Sequence, residues 1–132
     1  MKYLLDTNIC IYALKGNKKI LEKIQVNFNG GIAISSITLA ELEFGVQASA
    51  YPQKNAESLV RFLSKIEILP FDNECAIKYG KIRADLKKKG TLIGSMDMLI
   101  AAHGAAKSLI VVTHNAKEFE RVDGLEIEDW FE

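Results

Sequence analysis

The run Leu109-Ile110-Val111-Val112 constrains the fold most, because it has no polar face. A strand that is apolar on both sides must be covered on both sides, as the central strands of parallel sheets are. Similar short runs come earlier: a first strand from Met1 through Leu5, then Ile32-Ala33-Ile34-Ser35, then Glu67-Ile68-Leu69-Pro70. Leu125-Glu126-Ile127 follows as a candidate edge strand. Between the runs, apolar residues recur at helical spacing and predict helices over 9–16, 18–28, 38–49, 55–66, 73–89 and 95–107, with a short helix or turn at 115–120. Strands alternating with helices predict an α/β fold, a parallel sheet between two helical layers joined by right-handed crossovers. With 132 residues and 48% apolar content, the chain reads as one domain over 1–132 with a core of its own.

Charge is balanced, 17 basic against 17 acidic residues, so no global field selects nucleic acid or membrane. An anionic partner must be held by a local patch or a metal. Cys10 and Cys75 sit in apolar helical patterns and read as reduced core residues, which points to the cytoplasm. The N-terminus lacks the apolar segment of a signal peptide, and no run approaches the roughly 18 apolar residues of a membrane span.

Four acids occupy comparable places. Asp6 ends the first strand, Glu41 lies early in the helix after the second, Asp97 lies in the first turn of the helix opened by Gly94-Ser95, and Glu118 follows the strongest strand. Each has an ordinary structural explanation. Asp6 can cap the first helix. Thr38-Leu39-Ala40-Glu41 and Asn115-Ala116-Lys117-Glu118 both fit a capping box. An acid at Asp97 suits the helix dipole.

Their conjunction says more. In a parallel sheet the strand C-termini share one edge, so the elements after strands one, two and four carry three of these acids to one cleft. Asp97 precedes strand four, so its helix must angle back to join them. Carboxylates crowded together repel one another, and a divalent cation relieves the repulsion. All-oxygen ligands select a hard ion, Mg²⁺ or Mn²⁺. Glu43, two residues from Glu41, points elsewhere and reads as solvated.

Other chemistries lack their residues. The two histidines and two cysteines have no zinc spacing, and there is no phosphate-binding glycine loop and no nucleophile elbow. His103 reads as a surface or packing residue, and His114 as a group near the cleft, within reach of the carboxylates or of what binds there. Arg83, Lys87, Lys88 and Lys89 end one helix, and Lys107, Lys117 and Arg121 are expected to flank the cleft.

Four segments together carry a resemblance: Leu4-Leu5-Asp6-Thr7-Asn8, Ser36-Ile37-Thr38-Leu39-Ala40-Glu41-Leu42, Ile93-Gly94-Ser95-Met96-Asp97 running on to His103, and Val111-Val112-Thr113-His114-Asn115 running on to Phe119. Their order and spacing, down to Glu128-Asp129-Trp130, resemble the PIN-domain nucleases, and more closely the VapC toxins of bacterial toxin–antitoxin pairs. The resemblance implies a five-stranded parallel sheet in a three-layer αβα sandwich. It further implies a Mg²⁺-dependent endoribonuclease that hydrolyses RNA to a 5′-phosphate and a 3′-hydroxyl, with Mn²⁺ as a substitute ion.

Asp6, Glu41 and Asp97 match the family's three most regular acids. Many members carry aspartate where this chain has Asn115, so the fourth acid is expected to be Glu118. Thr7, Asn8, Thr113 and Asn115 are expected to orient the carboxylates. The implied partners are a VapB antitoxin, a homodimer mate and a structured RNA such as a tRNA anticodon loop, with DNA met only through the antitoxin.

Three rival readings remain. A receiver domain should show an acidic pair after strand one, and a haloacid-dehalogenase-like phosphatase should read Asp-x-Asp there, but Asp6 is followed by Thr7-Asn8. The third is a PIN-like module that binds RNA or protein without cutting.

Overall fold

The computed structural model describes residues 2–131, so Met1 of the expected first strand lies outside them. The strands are β1 (Tyr3–Leu5), β2 (Ile32–Ser35), β3 (Glu67–Leu69), β4 (Ile110–Val112) and β5 (Ile127–Glu128). The helices are α1 (Thr7–Leu14), α2 (Lys18–Asn27), α3 (Ser36–Gln47), α4 (Pro52–Leu63), α5 (Asn73–Lys88), α6 (Ser95–Lys107) and α7 (Ala116–Phe119), with a single 3₁₀ turn at Phe28–Gly30.

The strands form one sheet in the order β3-β2-β1-β4-β5, every pairing parallel. Alternation along each strand supplies two core layers. Tyr3 and Leu5, Ile32 and Ile34, and Val112 face α1, α2, α3 and α4. Leu4, Ala33 and Val111 face α5, α6 and α7. This is the three-layer sandwich. Trp130 closes the first layer, fully buried edge-on to Tyr3 at 5.0 Å between ring centroids, with its Nε1–H donating to Glu128. Among the described residues, no helix is long and apolar enough to cross a membrane.

The order of the strands places the functional edge. The chain runs outward from β1 to β2 and β3, then returns to the other side of β1 as β4. The crevice at such a reversal, outside the carboxyl ends of the strands, is where open α/β sheets bind ligands. Asp6 follows β1 there and Thr113 follows β4. Between β3 and β4 the chain forms two helices packed together, and Lys107 at the end of α6 binds Asp72 at the start of α5, 2.7 Å away. That pairing carries the start of α6, with Asp97, to the crevice. It also removes Lys107 from the cleft, which the sequence had it flanking.

Element ends differ from the spacing-based ranges for local reasons. Helix α3 begins two residues early, because Ser35 rather than Thr38 caps it, accepting from the Ile37 N–H at 3.0 Å. Helix α4 begins at Pro52 rather than Asn55; proline at the first helical position loses no hydrogen bond. The last strand lies at Ile127–Glu128 rather than 125–127.

Helix α6 lies close on the sheet through small residues. Ala101, Ala102 and Gly104 are buried, and a Cβ on Gly104 would stand 2.5 Å from Val111 Cγ2. Val111 is a stiff, fully buried β-branched side chain that cannot swing away. We therefore expect Gly104→Ala to destabilise the protein by about 1–3 kcal/mol through overpacking, despite alanine's better helix propensity. Urea unfolding of the two proteins measures this.

Candidate active site

Asp6 is 3% exposed and does two things at once. Its Oδ1 caps α1 by accepting the Ile9 N–H at 2.9 Å, as the cap reading expects. Its carboxylate also stands in a cleft of about 520 Å³ lined by Asp6, Thr7, Asn8, Glu41 and Asp97 with apolar walls. Burial pushes its pKa up from 3.8 to about 6. Hydrogen bonds from Thr113 and the Ile9 N–H oppose the rise, and the charges of Asp97 and Glu41 add to it.

Glu41 reaches the cleft because the expected capping box does not form. With Ser35 as the cap, Thr38 and Glu41 lie inside α3, three residues apart on one face. That face meets α1. Thr7 Oγ1 donates to Glu41 Oε1 at 2.6 Å and lies 3.3 Å from Thr38 Oγ1. Thr38, fully buried, thus belongs to the site rather than to the cap. Glu43 is exposed, as its offset from Glu41 implies.

Asp97 enters from the first turn of α6. Burial raises its pKa, followed by the charge of Glu118; Asn115 opposes this and Glu41 adds to it. Asn115 does not cap α7 with its side chain. Its Nδ2–H instead donates to Asp97 Oδ2 at 3.3 Å, while its backbone N–H donates to Thr113 Oγ1 at 2.9 Å. The Asp6, Thr113, Asn115 and Asp97 side chains are therefore tied through the end of β4. Glu118 is half-buried and near enough for its charge to act on Asp97, but it is not among the side chains lining the cleft. Asn8 lines the cleft with its side chain exposed.

Residues 3–125 match the model of the PIN domain family. The tRNA(fMet)-specific endonuclease VapC of Salmonella typhimurium is 44% identical over 131 residues, spanning 98% of both chains. Ribonuclease VapC2 of Rickettsia felis is 44% identical over 137 residues, again 98% of both. The chain belongs to the PIN-domain family, in its VapC branch. The fold agrees: VapBC2 from Rickettsia felis, solved bound to a DNA fragment from their promoter, superposes with a TM-score of 0.94 at 42% identity, covering 98% of this chain and 99% of that one. PIN-domain nucleases generally depend on a divalent metal; carboxylate oxygens suit a hard cation, although among the described residues no three acids are grouped closely enough to hold one as they stand.

In this PIN domain the remaining candidates divide. His103 is fully buried in the layer beside α5, its Nδ1 2.9 Å from Ser35 Oγ and its ring edge-on to Phe71, so it is a packing residue. His114 is held by Asp129 at 3.0 Å and packed on Phe131. Lys89 is bound to Asp85 and Asp123 on the surface. Sequence reasoning passed over the cleft's apolar walls, Ile11, Ala40, Phe44, Gly45 and Met96. Their signal was available: Ala40 and Phe44 flank Glu41 on the same helical stripe, and Met96 adjoins Asp97. An adjoining groove of about 350 Å³ between α1, α3 and α4 shares Ile11, Glu41 and Gly45 with the cleft.

The buried charge has a thermodynamic consequence. A carboxylate whose pKa is higher folded than unfolded favours the fold while protonated, and that advantage is lost as pH rises through the folded value. For Asp6 the window runs from about pH 4 to pH 6. Asn at this position can still accept the Ile9 N–H. We expect Asp6→Asn to be more stable than the parent at pH 7.5 in EDTA, by up to about 3 kcal/mol, and the gain to vanish near pH 4. Urea titrations at the two pH values check both the size and the sign.

Proposed function

We propose that the chain is the toxin component of a type II toxin–antitoxin pair, a Mg²⁺-dependent endoribonuclease whose substrate is a structured RNA. The observation that carries this reading is the convergence of Asp6, Glu41, Asp97 and the charge of Glu118 at the β1/β4 crevice. The names of the VapC relatives support it. The relative specific for tRNA(fMet) makes initiator tRNA, cut in its anticodon loop, the first substrate to try.

Asp6 and Asp97 would hold the ion directly, Glu41 directly or through water, and Glu118 would complete the cluster. Such an ion, when bound, lowers the pKa of water and neutralises charge developing on the phosphoryl oxygens. Thr7 holds the Glu41 carboxylate, and Thr113 and Asn115 hold Asp6 and Asp97, so each acid is oriented singly and the ion must draw them together, since among the described residues no three are grouped closely enough to bind one as they stand. Hydrolysis leaves a 5′-phosphate and a 3′-hydroxyl. Water as the nucleophile makes the 2′-hydroxyl chemically unnecessary, so preference for RNA rests on shape and on splayed loop bases.

The partner is a VapB-type antitoxin that lays apolar side chains in the groove between α1, α3 and α4 and sends a basic tail into the cleft. The groove's continuity with the cleft and the toxin–antitoxin complexes of close structural relatives support this. The toxin acts in the cytoplasm, pairs as a homodimer and meets DNA only through the antitoxin.

Purified protein should cut initiator tRNA at a discrete site with Mg²⁺, and less efficiently or comparably with Mn²⁺, but not in EDTA. Asp6→Asn and Asp97→Asn should abolish the fragments while remaining folded by circular dichroism. Retained cutting by either variant would remove its acid from the site. Thr7→Val, which frees Glu41 from its donor, should weaken Mg²⁺ activation roughly 10- to 100-fold without loss of fold, read from the Mg²⁺ concentration giving half-maximal rate. A folded wild-type protein that binds the tRNA but never cuts it would favour the binding-module reading.

A further inference from the structure

The cleft holds acids but no cation: its lining is Asp6, Glu41 and Asp97 with neutral or apolar neighbours, and no lysine or arginine among the described residues. Ion pairs from the cleft lining therefore cannot hold a phosphodiester there. Two large apolar side chains nonetheless face solvent at its walls, Phe44 74% exposed and Met96 47% exposed. Phe44 stands three residues after Glu41 on the same face of α3, and Met96 directly precedes Asp97, so the pair enters from different helices.

We infer that Phe44 is a base-stacking, substrate-positioning residue: its ring takes the nucleobase adjoining the scissile phosphate, and Met96 closes on that base from the other wall. The inference rests on the nuclease reading. Every base has a π-face, and stacking on an aromatic side chain adds to single-strand binding whatever the base. A phosphate held among the carboxylates is one sugar away from its base, and the ring is one helical turn away from Glu41. The cleft's volume of about 520 Å³ lies in the range that encloses small organic ligands. The space beside the ring at Gly45 is open, with nothing within 4 Å of where a Cβ would stand.

The test uses initiator tRNA as substrate and compares Phe44→Ala, Phe44→Leu and Phe44→Tyr. Alanine and leucine should lower kcat/KM roughly 5- to 150-fold, the range for losing one stacked base, and tyrosine should restore it. Tyr51→Ala, at a 71% exposed aromatic outside the cleft, should leave it unchanged. In the Asp6→Asn background, 2-aminopurine placed beside the cleaved bond should be quenched on binding, and Phe44→Ala should remove the quench.

Unchanged cleavage by a folded Phe44→Ala protein, or leucine as good as tyrosine, overturns the stacking role. Phe44→Ala that cuts tRNA normally but no longer binds the antitoxin assigns the side chain to that partner instead and equally overturns it. Wild-type protein that shows no Mg²⁺-dependent cutting fails at the earlier step, and the nuclease reading falls with the inference.

Discussion

The structure depends on a repulsion. Asp6 is buried beside Asp97 and Glu41, in a position that an isolated carboxylate would leave or neutralise. Nothing in the packing requires a charge there, since capping α1 needs only an acceptor for the Ile9 N–H. A fold optimised for stability alone would place asparagine or serine at that cap. Keeping a carboxylate whose pKa is pushed up to about 6 is a stability cost, and such costs cluster where charge has work to do.

The rest of the fold holds that unfavourable group in place. Two apolar layers clamp β1 and β4, the strands whose ends bear Asp6 and Thr113. Ser35 starts α3 early enough to turn Thr38 and Glu41 toward Thr7. The α5/α6 pair, tied through Lys107 and Asp72, brings Asp97 to the same edge from the far side of the sequence. Asp72 is held down to about 2 by Lys107, so this tie persists across the pH range in which the cleft acids titrate. Each carboxylate thus comes from a different element, and each is steadied by a neutral donor: Thr7, Thr113 or Asn115.

The sheet was legible in the sequence because β1, β2 and β4 are apolar on both faces, a pattern that local turn chemistry does not disguise. Asp6 and Glu41 were legible together, since both follow strand ends; Glu118 follows one too but does not line the cleft. Asp97 was not placed by periodicity, because its position depends on how α5 and α6 pack, a tertiary fact; the family resemblance supplied it. The capping boxes misled for one reason. Thr38 and Asn115 have the right side chains for a cap, but Ser35 already caps α3, and the Asn115 side chain is turned to donate its Nδ2–H to Asp97. Lys107 was expected to flank the cleft, but α6 has 13 residues and its two ends stand about 20 Å apart, and the charge meets Asp72 instead. The cleft walls Phe44 and Met96 went unread although they adjoin Glu41 and Asp97, because an apolar side chain in a helix reads as core until its exposure is seen.

The central claim is that these carboxylates form one divalent-cation site. Its most direct test is a crystal structure of the protein soaked in Mn²⁺, with the anomalous signal of the ion located. The account predicts a peak in the cleft in direct contact with Asp6 and Asp97, with Glu41 on the ion or one water away. A fully ordered cleft with no peak there, under conditions where the protein cuts RNA, would contradict it.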